Sequence, residues 1–461
     1  MSGVARWLDP ATCPAERPAY AAMHGDTRAL HDALDAHART SGVPWLHPDE
    51  PTVQQDLLGS APVIAWQEGK AAFLFAAAGC WSELPPLYAR YGTGATATLI
   101  DRVKALEDAG AAIVCDSGMQ ATALVFDVLM TPGAHAVLCR QIYNKTRGYM
   151  QWLVDRLGGA LTVVDDGDHA ALAAAITPAT RVVFAETFTN PRVRAQDITA
   201  LVALVAEARA TAPDVRLVVD DTIATPWAFA TPLVTQGVDV VVASGTKALS
   251  GTDRDLWGYV ATNDTPFANA VMDLVAMRGG ILDWRRATAI LGDLDRADAR
   301  HARRSDTASR VAAFLAAHPH VEEVHHPSLP THPDADVIRR QYVRHGSMVS
   351  FRVRGADEDA TRHAADVLAT TTIVRYALSF DGLATKVNHH RTVSEYFTPP
   401  DQLRRNGFDR LIRLGVGLED ADDLIAALNW TLHHGSAITP AQVLEWQAAR
   451  AATWASAAQA L

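Results

Sequence analysis

The chain has 461 residues, which is too long for one hydrophobic core and predicts at least two domains. Its formal net charge of −11 argues against nucleic acid as a partner, and no apolar run is long enough to span a membrane. The first residues lack a basic segment followed by a hydrophobic one, and the four cysteines are widely scattered. We therefore expect a cytoplasmic protein without an export signal, disulfide framework or metal site.

Three regions follow one another along the sequence. Residues 1–85 are rich in alanine, carry one predicted helix, and are interpreted as an N-terminal arm that packs on another subunit. Residues 86–300 alternate short Val-rich segments with helices, which predicts an α/β domain. Residues 301–461 combine helices with strands of alternating polarity, which predicts a smaller α+β domain.

Short segments that are apolar on both faces predict strands of a mostly parallel sheet buried between helices. They are residues 111–115, 135–139, 161–165, 181–186, 215–221 and 238–244. Helices are predicted between several of them, for example over 197–210. Because ligands of such folds bind beyond the carboxyl ends of the strands, we expect the functional residues directly after them.

Polar residues follow four of these strands. The segment DSGM (116–119) opens a helix whose free N–H groups suit a phosphate, although an ordinary helix cap reads the same way. A second strand ends in DDT (220–222), where a buried carboxylate needs a cation or several donors, unless it caps a turn. The third ends in the turn ETFTNP (186–191), and the fourth leads to Lys247, whose amine becomes nucleophilic when desolvated.

Together the four strand ends match one cofactor. They provide a phosphate cradle, an anion for a protonated ring nitrogen, a polar turn and an amine that attacks an aldehyde, which are the partners pyridoxal 5′-phosphate (PLP) requires. A nicotinamide dehydrogenase is an alternative α/β enzyme, but no strand is followed by the G-x-G-x-x-G segment that such enzymes use. The sequence therefore predicts PLP as the cofactor.

Six stretches between about residue 75 and about residue 435 resemble the Cys/Met metabolism family of fold-type-I PLP enzymes. This family includes cystathionine γ-synthases, cystathionine and methionine γ-lyases, and homoserine-ester sulfhydrylases. The stretches are YARYG (88–92), SGMQA (117–121), ETFTNPRVRAQDI (186–198), VVDDTIATP (218–226), ASGTKALSG (243–251) and LIRLGVGLEDADDLIAAL (411–428). The resemblance implies the fold-type-I PLP-dependent transferase fold, a small amino-acid substrate, and a homotetramer built from two dimers that share active sites.

The resemblance also implies roles for individual residues. Lys247 would bind the cofactor aldehyde covalently and then move protons, Asp220 would keep the ring nitrogen protonated, and Tyr143 would stack on the ring; these three are the predicted catalytic residues. A phenol at this position could also relay protons if nearby cations lowered its pKa. The predicted cofactor-binding residues are these three together with Tyr88, Arg90, Ser117, Gly118, Met119, Asn190, Ser244 and Thr246.

Two further roles follow from the same resemblance. Tyr88 and Arg90 would reach the phosphate bound by the neighbouring subunit. Arg413 would grip the substrate carboxylate, since a guanidinium pairs well with that planar group. The predicted substrate-binding residues are Arg413, Ser379, Asn190 and Lys145.

The sequence departs from the family on the substrate side. Asn144 and Lys145 stand where relatives have glycine and then a small or thiol residue, and Arg254 stands roughly where aspartate is common. Residues 380–398 replace a His-Pro-Ala-Ser-Met-Thr-His-like segment. We therefore expect the cofactor chemistry to be retained and the substrate to be unusual.

One hypothesis follows from these departures. Lys145, Lys386, His389 or His390 would contact the distal end of the substrate or its leaving group, the alternative being that they are solvated loop residues.

The predicted activity is that of a PLP-dependent lyase, which eliminates a γ substituent, or a β substituent, from an L-amino acid. A transferase that replaces the γ substituent is the alternative, because both reactions use the same residues in this family. A non-catalytic protein of the same fold should lack Lys247 or Arg413, and the sequence contains both.

Overall fold

The computed structural model describes Ala29, residues 89–396 and residues 398–459. The predicted arm, apart from Ala29, and Tyr88 lie outside the described residues.

The larger sheet contains the strands predicted from the sequence and one more. Its strands are β1 Ala111–Cys115, β2 His135–Cys139, β3 Ala160–Val164, β4 Thr180–Glu186, β5 Arg216–Asp220, β6 Val240–Ala243 and β7 Gly258–Thr262. They lie in the order β1-β7-β6-β5-β4-β2-β3. The pairs between β6, β5, β4, β2 and β3 are parallel, whereas β7 runs antiparallel to both β1 and β6.

The six predicted strands and the mostly parallel sheet are therefore confirmed, while β7 was missed by the sequence interpretation. Its residues are all buried, as are those of β1, β2 and β6, which explains why these segments carry apolar side chains on both faces. The segment GYVAT of β7 is short and includes a glycine and a threonine, so its apolar run is weak.

A second sheet lies toward the C-terminal end. Its strands are β8 Val321–His325, β9 Met348–Val353, β10 Arg375–Tyr376, β11 Lys386–His389 and β12 Ile412–Gly415, in the order β10-β11-β12-β9-β8. Only the β10–β11 pair of this sheet is parallel. Its core includes Val349, Phe351, Ile412 and Leu414 and is separate from the core of the larger sheet.

Helices accompany both sheets. They are α1 Gly94–Glu107, α2 Gly118–Leu129, α3 Asn144–Leu157, α4 His169–Ala175, α5 Ile198–Ala208, α6 Thr265–Arg278, α7 Trp284–Leu294, α8 Ala297–Ala317, α9 Ala335–Gln341, α10 Glu358–Thr371, α11 His390–Ser394, α12 Pro400–Asn406, α13 Ala421–His434 and α14 Pro440–Gln459. None of the helices within the described ranges is long and apolar enough to cross a lipid bilayer.

Helix α8 connects the two cores. Its first residue, Ala297, packs in the core of the larger sheet, whereas Val311 and Leu315 pack in the core of the smaller one. The predicted domain boundary between residues 300 and 301 falls inside this helix and stays a prediction.

Candidate active site

A cavity of about 340 Å³ opens where β1, β4, β5 and β6 of the larger sheet end and meets residues of the second sheet. Most of the predicted site residues line it, namely Ser117, Gly118, Met119, Tyr143, Asn190, Asp220, Ser244, Thr246, Lys247, Ser379 and Arg413. The fold brings them together from segments that are up to about 300 residues apart in the sequence, because parallel strands present their carboxyl ends at one edge.

The turns after β1 and β6 touch each other at one end of the cavity. A Cβ atom on Gly118 would lie 2.5 Å from Ser244 Cβ, so the contact requires glycine. Gly118 is the first residue of α2, and the hydroxyl of the N-cap residue Ser117 accepts a hydrogen bond from the Gln120 N–H. The first turn of the helix therefore meets the cavity with N–H groups that have no partner within the helix.

Lys247 projects into the cavity from the turn after β6. Its Nζ atom lies 2.5 Å from Ser379 Oγ and 5.4 Å from the centre of the Phe380 ring. Burial lowers the pKa of the Lys247 amine, the charge of Arg413 lowers it further, and Asp381 opposes the shift. An amine in this setting loses its proton more readily than a surface lysine does.

Arg413 projects from β12 of the second sheet and is only 3% exposed. Its Nη1 donates to Asn190 Oδ1 at 3.0 Å and its Nη2 to the Leu378 carbonyl oxygen at 3.3 Å, while Nε has no hydrogen-bond partner among the described residues. Burial lowers the pKa of Arg413 to about 10. A buried guanidinium whose hydrogen bonds go to neutral groups is well suited to bind an anion.

Two carboxyl groups lie beside each other in the cavity wall. Asp220 ends β5 and pairs in register with Glu186, which ends β4. Asp220 Oδ1 accepts a hydrogen bond from the Thr222 N–H at 2.9 Å, and burial raises the pKa of Asp220 to about 6. Glu186 accepts one from the Tyr143 N–H at 2.6 Å, and burial, reinforced by Asp220, raises the pKa of Glu186 well above its usual value.

Glu186 was not among the predicted site residues. Its position as the last residue of a buried strand, like that of Asp220, is a signal by which the sequence could have identified it.

Tyr143 precedes α3 and is 45% exposed. Burial raises the pKa of its phenol, and the nearby charge of Arg413 only partly opposes this. A proton relay through an ionised Tyr143, which requires cations that lower this pKa, stays a prediction.

Two predicted residues lie away from the lining of this cavity. Arg90 Nη1 donates to the Ala276 carbonyl oxygen in α6 at 3.3 Å, and Lys145 is exposed on α3. Their roles toward cofactor and substrate stay predictions. Arg254, the other departure from the family pattern nearby, forms a salt bridge with Asp293.

The three remaining candidates have different surroundings. Lys386 forms a salt bridge with Asp253, and the two ring nitrogens of His389 bond to Thr392 Oγ1 and the Asp409 carbonyl oxygen, each at 2.8 Å. His390, by contrast, lines the cavity.

Comparisons with known proteins show to which family the chain belongs. The family model for "Cys/Met metabolism PLP-dependent enzyme" matches residues 76–433. The chain is 33% identical over 341 residues to cystathionine gamma-synthase 1, chloroplastic, of Arabidopsis thaliana, covering 74% of this chain but 58% of that protein. It is 31% identical over 345 residues to L-methionine gamma-lyase of Fusobacterium nucleatum, covering 74% of this chain and 85% of the lyase.

A solved structure extends the similarity to three dimensions. Cystathionine gamma-lyase from Lactobacillus plantarum, complexed with L-serine, superposes with a TM-score of 0.70 at 27% identity, and the match covers 75% of this chain and 88% of that one. This chain belongs to the Cys/Met metabolism family of PLP-dependent enzymes. It is a PLP-dependent enzyme of the fold-type-I class, and its relatives are lyases and transferases that act on amino acids.

The cavity residues fit PLP. The raised pKa of Asp220 reflects a buried carboxyl group that a protonated pyridine nitrogen would stabilise in its ionised form. The Lys247 amine is the nucleophile in the cavity that an aldehyde needs. Gly118 at the start of α2 lines the cavity together with Ser244 and Thr246, and the free N–H groups of the first helical turn suit a phosphate.

Proposed function

We propose that this protein catalyses the elimination of a γ substituent from an L-amino acid. The reaction consumes water and releases the leaving group in protonated form, a 2-oxo acid and ammonia. A β substituent would be eliminated by the same groups. The proposal rests on the side chains that surround the position for substrate and on the activities of the relatives.

One observation carries the proposal. Lys247 Nζ and Arg413 Cζ each lie 5.4 Å from the centre of the Phe380 ring, so a base and a carboxylate anchor flank the same aromatic side chain. In an α-amino acid the carboxylate group and the α proton are both bonded to Cα. A substrate held by Arg413 would therefore present its Cα to Lys247.

The residues around the cavity divide into two proposed sets. Ser117, Gly118, Met119, Ser244 and Thr246 would hold the phosphate, and Asp220, Tyr143 and Asn190 would contact the ring. When bound, PLP supplies an electron sink that makes the protons on Cα and Cβ of the substrate acidic. Arg413 would bind the substrate carboxylate, and Asn190 would fix the orientation of Arg413 through the 3.0 Å hydrogen bond between them.

Proton movements are assigned to two side chains. Lys247 Nζ, whose pKa is lowered by burial, would accept the Cα proton, and Ser379 Oγ would hold the amine in position through their 2.5 Å contact. Tyr143 keeps its proton at neutral pH because burial raises its pKa, so the phenol Oη would donate to the departing γ atom.

The active site is proposed to be shared between subunits. Lys247, Arg413 and His390 are the basic side chains among the described residues that line the cavity, and the phosphate end has neutral side chains from Ser117 to Met119. A phosphate dianion there would be neutralised by Arg90 of a second copy. We propose a homotetramer of two such dimers, located in the cytoplasm.

Replacement of the γ substituent is the second candidate. It is favoured by the similarity to a cystathionine gamma-synthase, which is as strong as the similarity to the methionine gamma-lyase. The two reactions differ only in whether a nucleophile adds at Cγ before release.

A substrate panel tests both candidates. The PLP-loaded protein would be incubated with cystathionine, methionine, O-acyl homoserines and γ-halo amino acids, and 2-oxo acid, ammonia and new amino acids would be measured with and without a thiol. Elimination predicts 2-oxo acid and ammonia in equal amounts without thiol. A new amino acid that forms only with thiol would favour replacement, and no product from any compound would contradict both.

A further inference from the structure

The wall of the cavity opposite the sheet contains polar atoms that have no partner among the described residues. His390 is 2% exposed, and both of its ring nitrogens lack a hydrogen bond. The Oδ1 atom of Asn144 is likewise buried and unpaired. Both side chains line the cavity. An unpaired buried polar group is costly, so three such atoms on side chains that line one cavity indicate a ligand that binds there.

Packing, and not hydrogen bonding, holds the His390 ring. Its imidazole meets the Phe408 ring edge to face, with the ring centres 5.6 Å apart. Its backbone N–H donates to the carbonyl oxygen of Leu411 at 3.0 Å, which connects the start of α11 to the residue that precedes β12, the strand of Arg413. The ring nitrogens therefore remain available to a bound molecule.

Asn144 is oriented by the same segment. Its Nδ2 donates to the carbonyl oxygen of Ser394, the last residue of α11. This bond assigns the amide so that its oxygen, and not its nitrogen, is the unpaired atom. Asn144 directly follows Tyr143, the residue that is proposed to protonate the leaving group, and both side chains line the cavity.

The local charge favours a neutral or donor-rich ligand group. Burial, and next the charge of Arg413, hold the pKa of His390 well below its usual value, so the imidazole is neutral and offers one donor and one acceptor. The carboxyl group of Glu395 also lines the cavity. A carboxylate on the ligand would face Glu395 and two neutral acceptors, whereas a carboxamide could both donate and accept.

We propose that His390 and Asn144 form a specificity subsite for a substrate whose leaving group carries a neutral hydrogen-bonding function of the carboxamide type. This inference rests on the proposed function, because it assigns the substrate class of the same cavity. An apolar thioether pairs with none of these atoms, and a carboxylate pairs only with the imidazole N–H, so such substrates leave two or three of the atoms unpaired.

Three isosteric substrates test the subsite. S-carbamoylmethyl-, S-isobutyl- and S-carboxymethyl-L-homocysteine share the leaving sulfur and differ only at the distal group. For the PLP-loaded protein, kcat/KM for 2-oxo acid release should be at least about 10-fold higher with the carboxamide than with either of the others. Equal values for the three, or a preference for the isobutyl or carboxymethyl compound, would overturn the subsite.

Variants of two neighbouring histidines identify the side chain responsible. His390→Phe should bring the carboxamide and isobutyl values within about threefold, and His390→Gln, which restores a donor and an acceptor, should recover part of the preference. His389→Phe is the matched control, because the nitrogens of His389 are already bonded within the protein. His389→Phe should change kcat/KM by the same factor for all three substrates. If His389→Phe lost the preference for the carboxamide and His390→Phe kept it, the assignment to His390 would be contradicted.

Binding separates this inference from the proposed reaction. The non-cleavable analogues of the three substrates, in which a methylene replaces sulfur, would be titrated into the PLP-loaded wild type and His390→Phe by calorimetry. Tighter binding of the carboxamide analogue to wild type alone supports the subsite even if no substrate is turned over, in which case elimination fails. Turnover of all three compounds without a binding preference supports elimination and rejects the subsite.

Discussion

The two walls of the cavity are built differently. The cofactor-side wall consists of residues 117–119, Asp220 and residues 244–247, and its polar groups largely bond to nearby protein atoms, as Asp220 does with the Thr222 N–H. The substrate-side wall consists of Asn144, residues 379–380, residues 390–395 and Arg413, and it contains the unpaired atoms of Asn144, His390 and Arg413.

This difference indicates which wall positions the cofactor and which wall binds the substrate. Adjacent strand ends of one sheet position the cofactor side through the backbone, and such a framework tolerates little change. The substrate side combines a helix of the larger domain with loops and a strand of the second sheet. Its unpaired groups would find hydrogen-bond partners only on a bound ligand, so we propose that this wall distinguishes between substrates.

The largest effect is expected on the cofactor side, at Lys247. Lys247→Ala removes the amine that is proposed to bind PLP and accept the Cα proton, so 2-oxo acid release should fall by about 10⁴-fold. The visible absorbance of the covalently bound cofactor should also disappear. Lys104→Ala, in the last turn of α1, is the control and should retain both. Substantial turnover by Lys247→Ala would remove Lys247 from the mechanism.

Tyr143 lines the same cavity directly before Asn144, and its substitution should affect the chemical step. Tyr143→Phe keeps the aromatic ring but removes the proton donor, so kcat should fall by about 100-fold while the cofactor stays bound. The effect should shrink for a substrate whose leaving group, such as a halide, needs no proton. Steady-state kinetics with a γ-halo and a thioether substrate measure this, and equal losses for both would contradict a proton-donor role.

On the substrate side, substitution of Arg413 tests whether its guanidinium binds the substrate carboxylate. Arg413→Lys keeps a cation but cannot form the same planar pair with a carboxylate, so KM should rise about 30-fold with a much smaller change in kcat. The measurement is the dependence of initial rate on substrate concentration. If kcat fell as far as KM rose, the guanidinium would act on the reacting atoms and not as an anchor.

On the cofactor side, Asp220 should affect how the free energy of unfolding depends on pH. In the cofactor-free protein its pKa is about 6, above the usual 3.8, so the folded state binds more protons than the unfolded state between these values. The free energy of unfolding therefore falls as pH rises from about 4 to about 7, and Asp220 contributes on the order of 2–3 kcal/mol of this fall.

Replacing Asp220 by Asn should make the fall correspondingly smaller, as urea unfolding of the cofactor-free proteins at several pH values would show. Identical pH profiles for the two proteins would mean that Asp220 is not the group that titrates.

The smallest effect is expected for Lys145. Its side chain is exposed and outside the cavity lining, so Lys145→Met should reduce turnover by no more than about threefold and leave the cofactor absorbance unchanged. A larger loss would indicate that Lys145 on α3 belongs to the substrate-side wall. Unchanged kinetics would contradict the prediction that Lys145 binds substrate.

Much of the cofactor-side wall could be predicted because its residues directly follow buried strands. The Val-rich segments identify the strands, and Gly118, Asp220 and Lys247 come within a few residues of their ends. The strand β7 was missed, since a weakly apolar segment becomes a buried strand only when β1 and β6 flank it. Glu186 was missed although it ends a buried strand as Asp220 does, because no role in binding the cofactor was assigned to a second carboxyl group.

The amino-acid sequence by itself determined the family, the cofactor and the class of chemistry, because these depend on residue types at short spacings from buried strands. Only the tertiary structure separated His390 from His389. The two are adjacent in the chain, but β11 ends at His389 and α11 begins at His390, so their side chains enter different surroundings. The direction of a side chain at such a junction depends on packing against distant segments, here Phe408 and Leu411, and local sequence does not encode it.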